Sequence, residues 1–197
     1  MRLGGRLAGA IEVLADIEAR KRPVADALKD WGLSHRFAGS GDRAAIGNIV
    51  YDALRMKLSH AFLMDDDSAE SLGFAVLFRQ WGFVPERLAA ELDGDKFAPA
   101  MPDQARLSAY AAKSLDDAPL HVQGDIPQWV QPPFEANFAE EWLAFSVLAR
   151  RSSVGRPASA LASASHSSAK FASKEGCTHC GMSPCTLSGA SSRFLAA

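Results

Sequence analysis

The residue types best suited to chemistry sit near the C-terminus, where Cys177-Thr178-His179-Cys180 and Cys185 supply a CxxC pair and a third thiol. With His179 or His166 as a fourth ligand, such a set is the raw material of a thiolate-bound zinc. However, the second ligand pair that closes most structural zinc sites is missing. His179, lying between the first two cysteines, would also be strained as a simultaneous ligand. The cysteines are therefore read as incidental, and no metal is expected. His35, His60 and His121 have no matching ligand or triad spacing, so no catalytic residue is assigned.

A second pattern, Gly39-Ser40-Gly41-Asp42-Arg43-Ala44, fits GxGxxA at the start of a helix, where a phosphate or carboxylate could be held. The fingerprint requires a preceding strand, and WGLSHRF is not one. The glycines are read as a flexible entry to a capped helix.

What remains is electrostatic. Net charge is −2, but residues 1–60 carry ten Lys/Arg against seven Asp/Glu, residues 61–141 five against fifteen, and residues 142–197 six against one. A basic N-terminal third on an acidic body suits a face that meets phosphate. Its candidates are Arg2, Arg6, Arg20, Lys21, Arg22, Arg36, Arg43 and Arg55, which would give affinity without sequence information. The plainer reading of Arg20-Lys21-Arg22 is a favourable cluster at a helix C-terminus. The acidic part is a solvated surface or, in a competing reading, a face for a protein partner.

These charges need helices to position them. In residues 41–64, Ile46, Ile49, Val50, Ala53, Leu54, Ala61 and Phe62 fall on one stripe at helical spacing, so this stretch is expected to be the long central helix, N-capped by Asp42. Counting about 100° per residue, Arg55 lies opposite the stripe and should face solvent, whereas Lys57 lies near its centre. Lys57 should either snorkel or mark an irregularity before Ser59.

The N-terminal stretch has Leu3, Leu7, Ile11 and Leu14 on one face, and Glu12, Asp16 and Glu18 interrupt any apolar core of a signal sequence. Pro23 is expected to open a second helix over 24–31, ended by Gly32 as C′ residue. Asp65-Asp66-Asp67-Ser68 offers caps for a helix with Leu72, Ala75, Val76 and Phe78 mostly inward, ending at Trp81-Gly82. Pro85 opens a short helix closed by Asp93-Gly94, and Pro102 or Asp103 opens another. Phe134, Phe138, Trp142, Phe145 and Leu148 make the apolar face of a last one. No segment alternates with period two, so the expected class is all-α. There is no run of about 18 apolar residues to span a membrane. All three cysteines fall in the last 21 residues, so the core uses no disulfides and a cytoplasmic protein is the default.

The order of helix 1, SGDRAAIGNIVYDALRMKLSHAFLM, QWGFVPERLAAEL and especially DIPQWVQPPFEANFAEEWLA resembles the N-terminal region of bacterial rRNA cytosine-C5 methyltransferases of the RsmB/Sun type. The resemblance covers about residues 1–145. It implies a NusB-like helical bundle that binds RNA or helps a neighbouring domain to do so. It also places Asp42-Arg43, Arg55 and Lys57 on the family's characteristic helix, and Ile126-Pro127-Gln128-Trp129 on the hydrophobic-Pro-x-Trp element before the catalytic portion. Such enzymes continue into an S-adenosylmethionine-binding domain, in which one cysteine adds to C6 of cytosine and a second helps release the product.

Nothing of that kind follows residue 145. In residues 146–197, 13 are Ser and 10 are Ala, and no Asp occurs after Asp125. The 146–197 segment reads as a low-complexity tail, and residues 152–197 are expected to have no packed structure, because they have too few large apolar residues to offset the entropy of ordering. The abrupt change points to a shifted reading frame or truncated product, which comparison of all three frames of the nucleotide sequence decides. Ser183-Pro184-Cys185 matches the family's Pro-Cys only as a dipeptide. The expectation is thus an RNA-binding domain (residues 1–145) whose partner is rRNA rather than DNA or a membrane. S-adenosylmethionine is implied for the full-length family but not bound here, and this chain alone is expected to be inactive in methyl transfer. A NusB-like antitermination or protein-interaction module is the alternative.

Overall fold

The computed structural model describes residues 1–138 and 141–144. The expectations for residues 146–197, including Cys177, Cys180 and Cys185, and for Phe145, lie outside the described residues. The elements are α1 (Leu3–Arg20), α2 (Val24–Ser34), α3 (Ser40–Arg55), α4 (Lys57–Met64), α5 (Ala69–Arg79), α6 (Pro85–Leu92), α7 (Gln104–Ala112), α8 (Leu120–Gln123) and α9 (Gln131–Phe138), with 3-10 turns at Leu115–Asp117 and Gln128–Val130. Among the described residues there is no strand.

The bundle is organised around α5. Ser71 through Phe78 are all buried, a run of eight that leaves this helix no polar face, as befits a helix enclosed by others. Ser68 caps it, its hydroxyl accepting the Ser71 N–H at 3.2 Å. On one side Leu72 and Val76 join Val13, Leu14, Ile46, Ile49 and Val50 from α1 and α3. On the other, Phe74, Leu77 and Phe78 meet Leu7, Met64, Leu88 and Leu92. Gly73 lets α1 close in: a Cβ there would stand 3.1 Å from Leu7 and 3.2 Å from Ile11.

α1 and the α3–α4 pair run side by side in one direction, with Arg6 against Asp42 at one end and Glu18 against Lys57 at the other. α2 returns antiparallel to α1, which brings Trp31 back to Glu12.

Three local expectations are corrected. The 41–64 helix is two helices, broken at Met56 (φ −120°, ψ 33°). The break is held by Asp125, whose carboxylate accepts the Ser59 N–H at 2.8 Å and the Ser59 hydroxyl at 2.7 Å. Lys57, just past the break, reaches Glu18 at 3.2 Å at the surface. Asp42 is not the N-cap; Gly39 holds that position, and Asp42 lies in the first turn with its carboxylate turned to Met1 and Arg6. Gly32 does not end α2, which runs on to Ser34 while the Arg43 guanidinium lies over the glycine. The short turns between Leu115 and Val130 also carried no periodic signal. Trp129, in the last of them, is 79% exposed.

Candidate functional site

A groove of about 860 Å³ opens at the N-terminal end of α1. Its α1 side is made of Gly5, Ala8 and Gly9. Small residues are required here: a Cβ on Gly9 would stand 2.6 Å from Cζ2 of Trp31, so glycine is what allows the indole to lie against α1. The indole N–H donates to Glu12 at 2.7 Å.

His35 stacks on Trp31 with centroids 4.2 Å apart and planes 12° from parallel. Its Nδ1 lies 2.9 Å from the Trp31 carbonyl, which can only accept, so that nitrogen carries the hydrogen and Nε2 faces Glu12 at 3.6 Å. Phe37 meets His35 edge-on at 5.7 Å. The opposite side comes from the loop after α6. There the Asp95 carboxylate accepts the Phe97 N–H at 3.1 Å, and the Lys96 ammonium sits 4.7 Å from the centre of the Phe97 ring.

Two large aromatic side chains thus stand in solvent beside one concavity, Phe37 at 73% exposed and Phe97 at 65%. Exposed rings lining a groove with cations beside them suit a ligand that has both flat apolar faces and negative charge.

The eight basic residues that stand out in the sequence are not brought together. Arg2 is at the mouth of the groove, donating to the Gly94 carbonyl at 3.4 Å. Arg36 is exposed between the lining residues His35 and Phe37. Arg6 is nearby but engaged, bonding Asp42 at 2.9 Å. Arg43 donates to the Ala38 carbonyl at 3.0 Å.

The others lie at the far end of α1, roughly 25 Å away by helix rise, and each meets a carboxylate. Arg20 pairs with Asp16 at 2.9 Å, Lys21 with Glu18 at 2.7 Å, Arg22 with Asp16 and Asp30, and Arg55 with Asp52 at 3.1 Å. Hydrogen bonds from Lys21 and Lys57 hold the Glu18 carboxyl below its ordinary range, and the hydrogen bond to Asp30 raises that of Arg22. The plainer sequence reading of Arg20-Lys21-Arg22, as a helix-terminal charge cluster, describes this geometry.

Sequence reasoning missed Lys96, Phe97, Phe37 and Trp31. Their signal is a basic-aromatic dipeptide in each of two loops, Arg36-Phe37 and Lys96-Phe97, separated by some sixty positions in the sequence.

Among the described residues no group of His, Cys, Asp or Glu is placed to hold a metal ion, and no helix is long and apolar enough to cross a membrane. The described residues do not fit S-adenosylmethionine at Gly39–Ala44. No strand leads into the turn, and the Asp42 carboxylate already occupies the positive end of α3, where it would repel a second anion. Comparison of the chain with protein-family models, with curated proteins and with solved structures found no match.

Proposed function

We propose that this chain is an RNA-binding accessory domain, a NusB-like bundle of the kind that precedes the catalytic part of RsmB-type rRNA cytosine-C5 methyltransferases, acting in the cytoplasm. The observation that carries the RNA reading is the groove end of the bundle. Among the described residues, Arg2, Arg36 and Lys96 have no carboxylate at ion-pair distance; Arg2 and Lys96 line the groove with two solvent-exposed phenylalanines, and Arg36 is exposed next to Phe37 in the chain. Uncommitted cations supply phosphate contacts, and exposed rings supply faces on which bases stack. The methyltransferase context is supported by the resemblance over residues 1–145, and no step of methyl transfer is assigned to these residues.

The alternative, an acidic face for a protein partner, would draw on Asp65-Asp66-Asp67. Asp65 is taken by Lys113 at 2.7 Å and Asp66 by Arg106 at 2.9 Å, so much of that charge is spent within the fold.

Titration of labelled small-subunit rRNA fragments at two salt concentrations tests the proposal. Affinity should fall steeply with salt, and Arg2→Ala, Arg36→Ala and Lys96→Ala combined should weaken binding and flatten that dependence. Duplex DNA of equal length should bind less well. Salt-insensitive association with a protein instead of RNA would favour the alternative.

A further inference from the structure

We infer that the groove beside α1 takes an unpaired stretch of RNA, with bases stacked on Phe37 and Phe97 and the flanking phosphates on Arg2, Arg36 and Lys96. This rests on the RNA-binding reading and goes beyond it by naming the form of nucleic acid and the residues that select it.

Of the two acidic residues lining the groove, Glu12 accepts from the Trp31 indole and faces His35, while Asp95 accepts the Phe97 N–H through Oδ1 and has its Oδ2 buried near Gly4. The Met1 ammonium is held by both oxygens of Asp42 at 3.1 Å. What remains open to a ligand is therefore Arg2, Lys96 and the two phenyl rings, with Arg36 in the chain between lining residues.

The two rings come from separate loops on different sides of the groove and are largely exposed; the Lys96 ammonium lies over one face of Phe97, which leaves its other face for a base. A base in a duplex has its faces buried against its neighbours and cannot offer them to a phenyl ring, whereas a base in a single strand, loop or bulge can. Trp31 and His35 make a stacked, hydrogen-bonded support behind Phe37, so the site needs little ordering when it is filled. Every base has a π-face, so stacking at this site should be tolerant of sequence.

The test is anisotropy titration of the whole chain with a labelled unstructured RNA octamer and with a blunt RNA duplex of equal length, which should bind less tightly, over a salt series. Phe37→Ala and Phe97→Ala should each weaken octamer binding by about 5- to 150-fold, the range for removal of one base–aromatic stack. Both side chains are exposed, so helicity by circular dichroism should be unchanged. The slope of log affinity against log salt should stay as in the parent chain, because every phosphate keeps its cation, and Phe37→Trp should restore affinity.

Phe variants that bind like the parent, while Arg2→Ala/Arg36→Ala/Lys96→Ala weakens binding, would overturn this inference and leave the RNA reading standing. No RNA binding by the parent chain at moderate salt would remove both. Self-association of the parent that Phe37→Ala or Phe97→Ala abolishes would assign the groove to a second copy of the chain and overturn the proposal.

Discussion

Asp42 and Asp52 share α3, yet their surroundings push them in opposite directions. Burial works against charge on Asp42, but hydrogen bonds from Arg6 and the Met1 ammonium outweigh it and hold the carboxyl below its ordinary range. A depressed folded-state value means that stability from this group is complete above the unfolded value of about 3.9 and is lost as pH falls through the folded value. Asp52 is raised, because burial penalises its charge more than Arg55 favours it. For a raised acid the contribution is present below the unfolded value and is lost as pH rises through the folded value, so ionised Asp52 costs stability at neutral pH. Asp42→Asn should therefore lower the thermal midpoint at pH 7, with the gap to the parent closing as pH falls below the ordinary carboxylate range. Asp52→Asn should leave the midpoint unchanged or raise it, since the i,i+3 pair with Arg55 that it removes is worth no more than about 0.5 kcal/mol. Melting curves taken from pH 7 down through the acid range decide both, and a pH-independent deficit in Asp42→Asn would contradict this account. Neither behaviour is legible in the sequence, because Asp42 looks like an N-cap until the chain start, 41 positions away, is seen to fold onto it.

The same limit operates on whole elements. The starts of α5, α6 and α7 follow from local signals, namely the Ser68 cap, Pro85 in the first turn and the Asp103 cap, because each depends on neighbours within a few positions. The expected single central helix failed at Met56: Lys57 on the apolar stripe offered an irregularity before Ser59 as one of two readings, but the carboxylate that stabilises the new helix start comes from Asp125, 66 positions on from Ser59. Asp125 itself has a left-handed backbone (φ 51°), a conformation that Asp tolerates better than most residues. Asp125→Ala should cost about 1 to 2 kcal/mol, in the range for removing a helix cap. It also leaves the Ser59 hydroxyl, in a residue 1% exposed, with a weaker bond to the Met56 carbonyl at 3.3 Å. Hydrogen exchange should quicken at the first turn of α4 and in the Leu115–Asp117 to α8 region together, because one side chain ties them. Exchange confined to the 115–125 region would mean that α4 starts without this cap.

Across the whole molecule, charge counted along the sequence and charge available to a ligand are different quantities. The first 60 residues read as basic, and Arg20-Lys21-Arg22 is their densest run. Folding places Asp16, Glu18 and Asp30 among those cations and Asp52 against Arg55, so a phosphate arriving there must displace carboxylates already in place. At the other end of α1 the basic residues are fewer, but Arg2, Arg36 and Lys96 have no such competitor among the described residues, and one of them belongs to the segment that reads as acidic. The candidate site was therefore half legible: its N-terminal arginines stand out by charge, while Lys96 and the two phenylalanines become a site only when the loop after α6 reaches α1. The difference in available charge predicts how two triple variants should behave. Replacing Arg2, Arg36 and Lys96 by Ala should reduce the salt slope of RNA binding by about 0.7 for each single-strand phosphate left without its cation, roughly 2 in all. Replacing Arg20, Lys21 and Arg22 should change the slope by less than the share of a single phosphate, because net charge falls there while the cations that meet RNA stay in place. Equal reductions in slope for both variants would show that the ion pairs at the far end yield readily to phosphate. A larger reduction in the second would move the RNA face to the C-terminal end of α1.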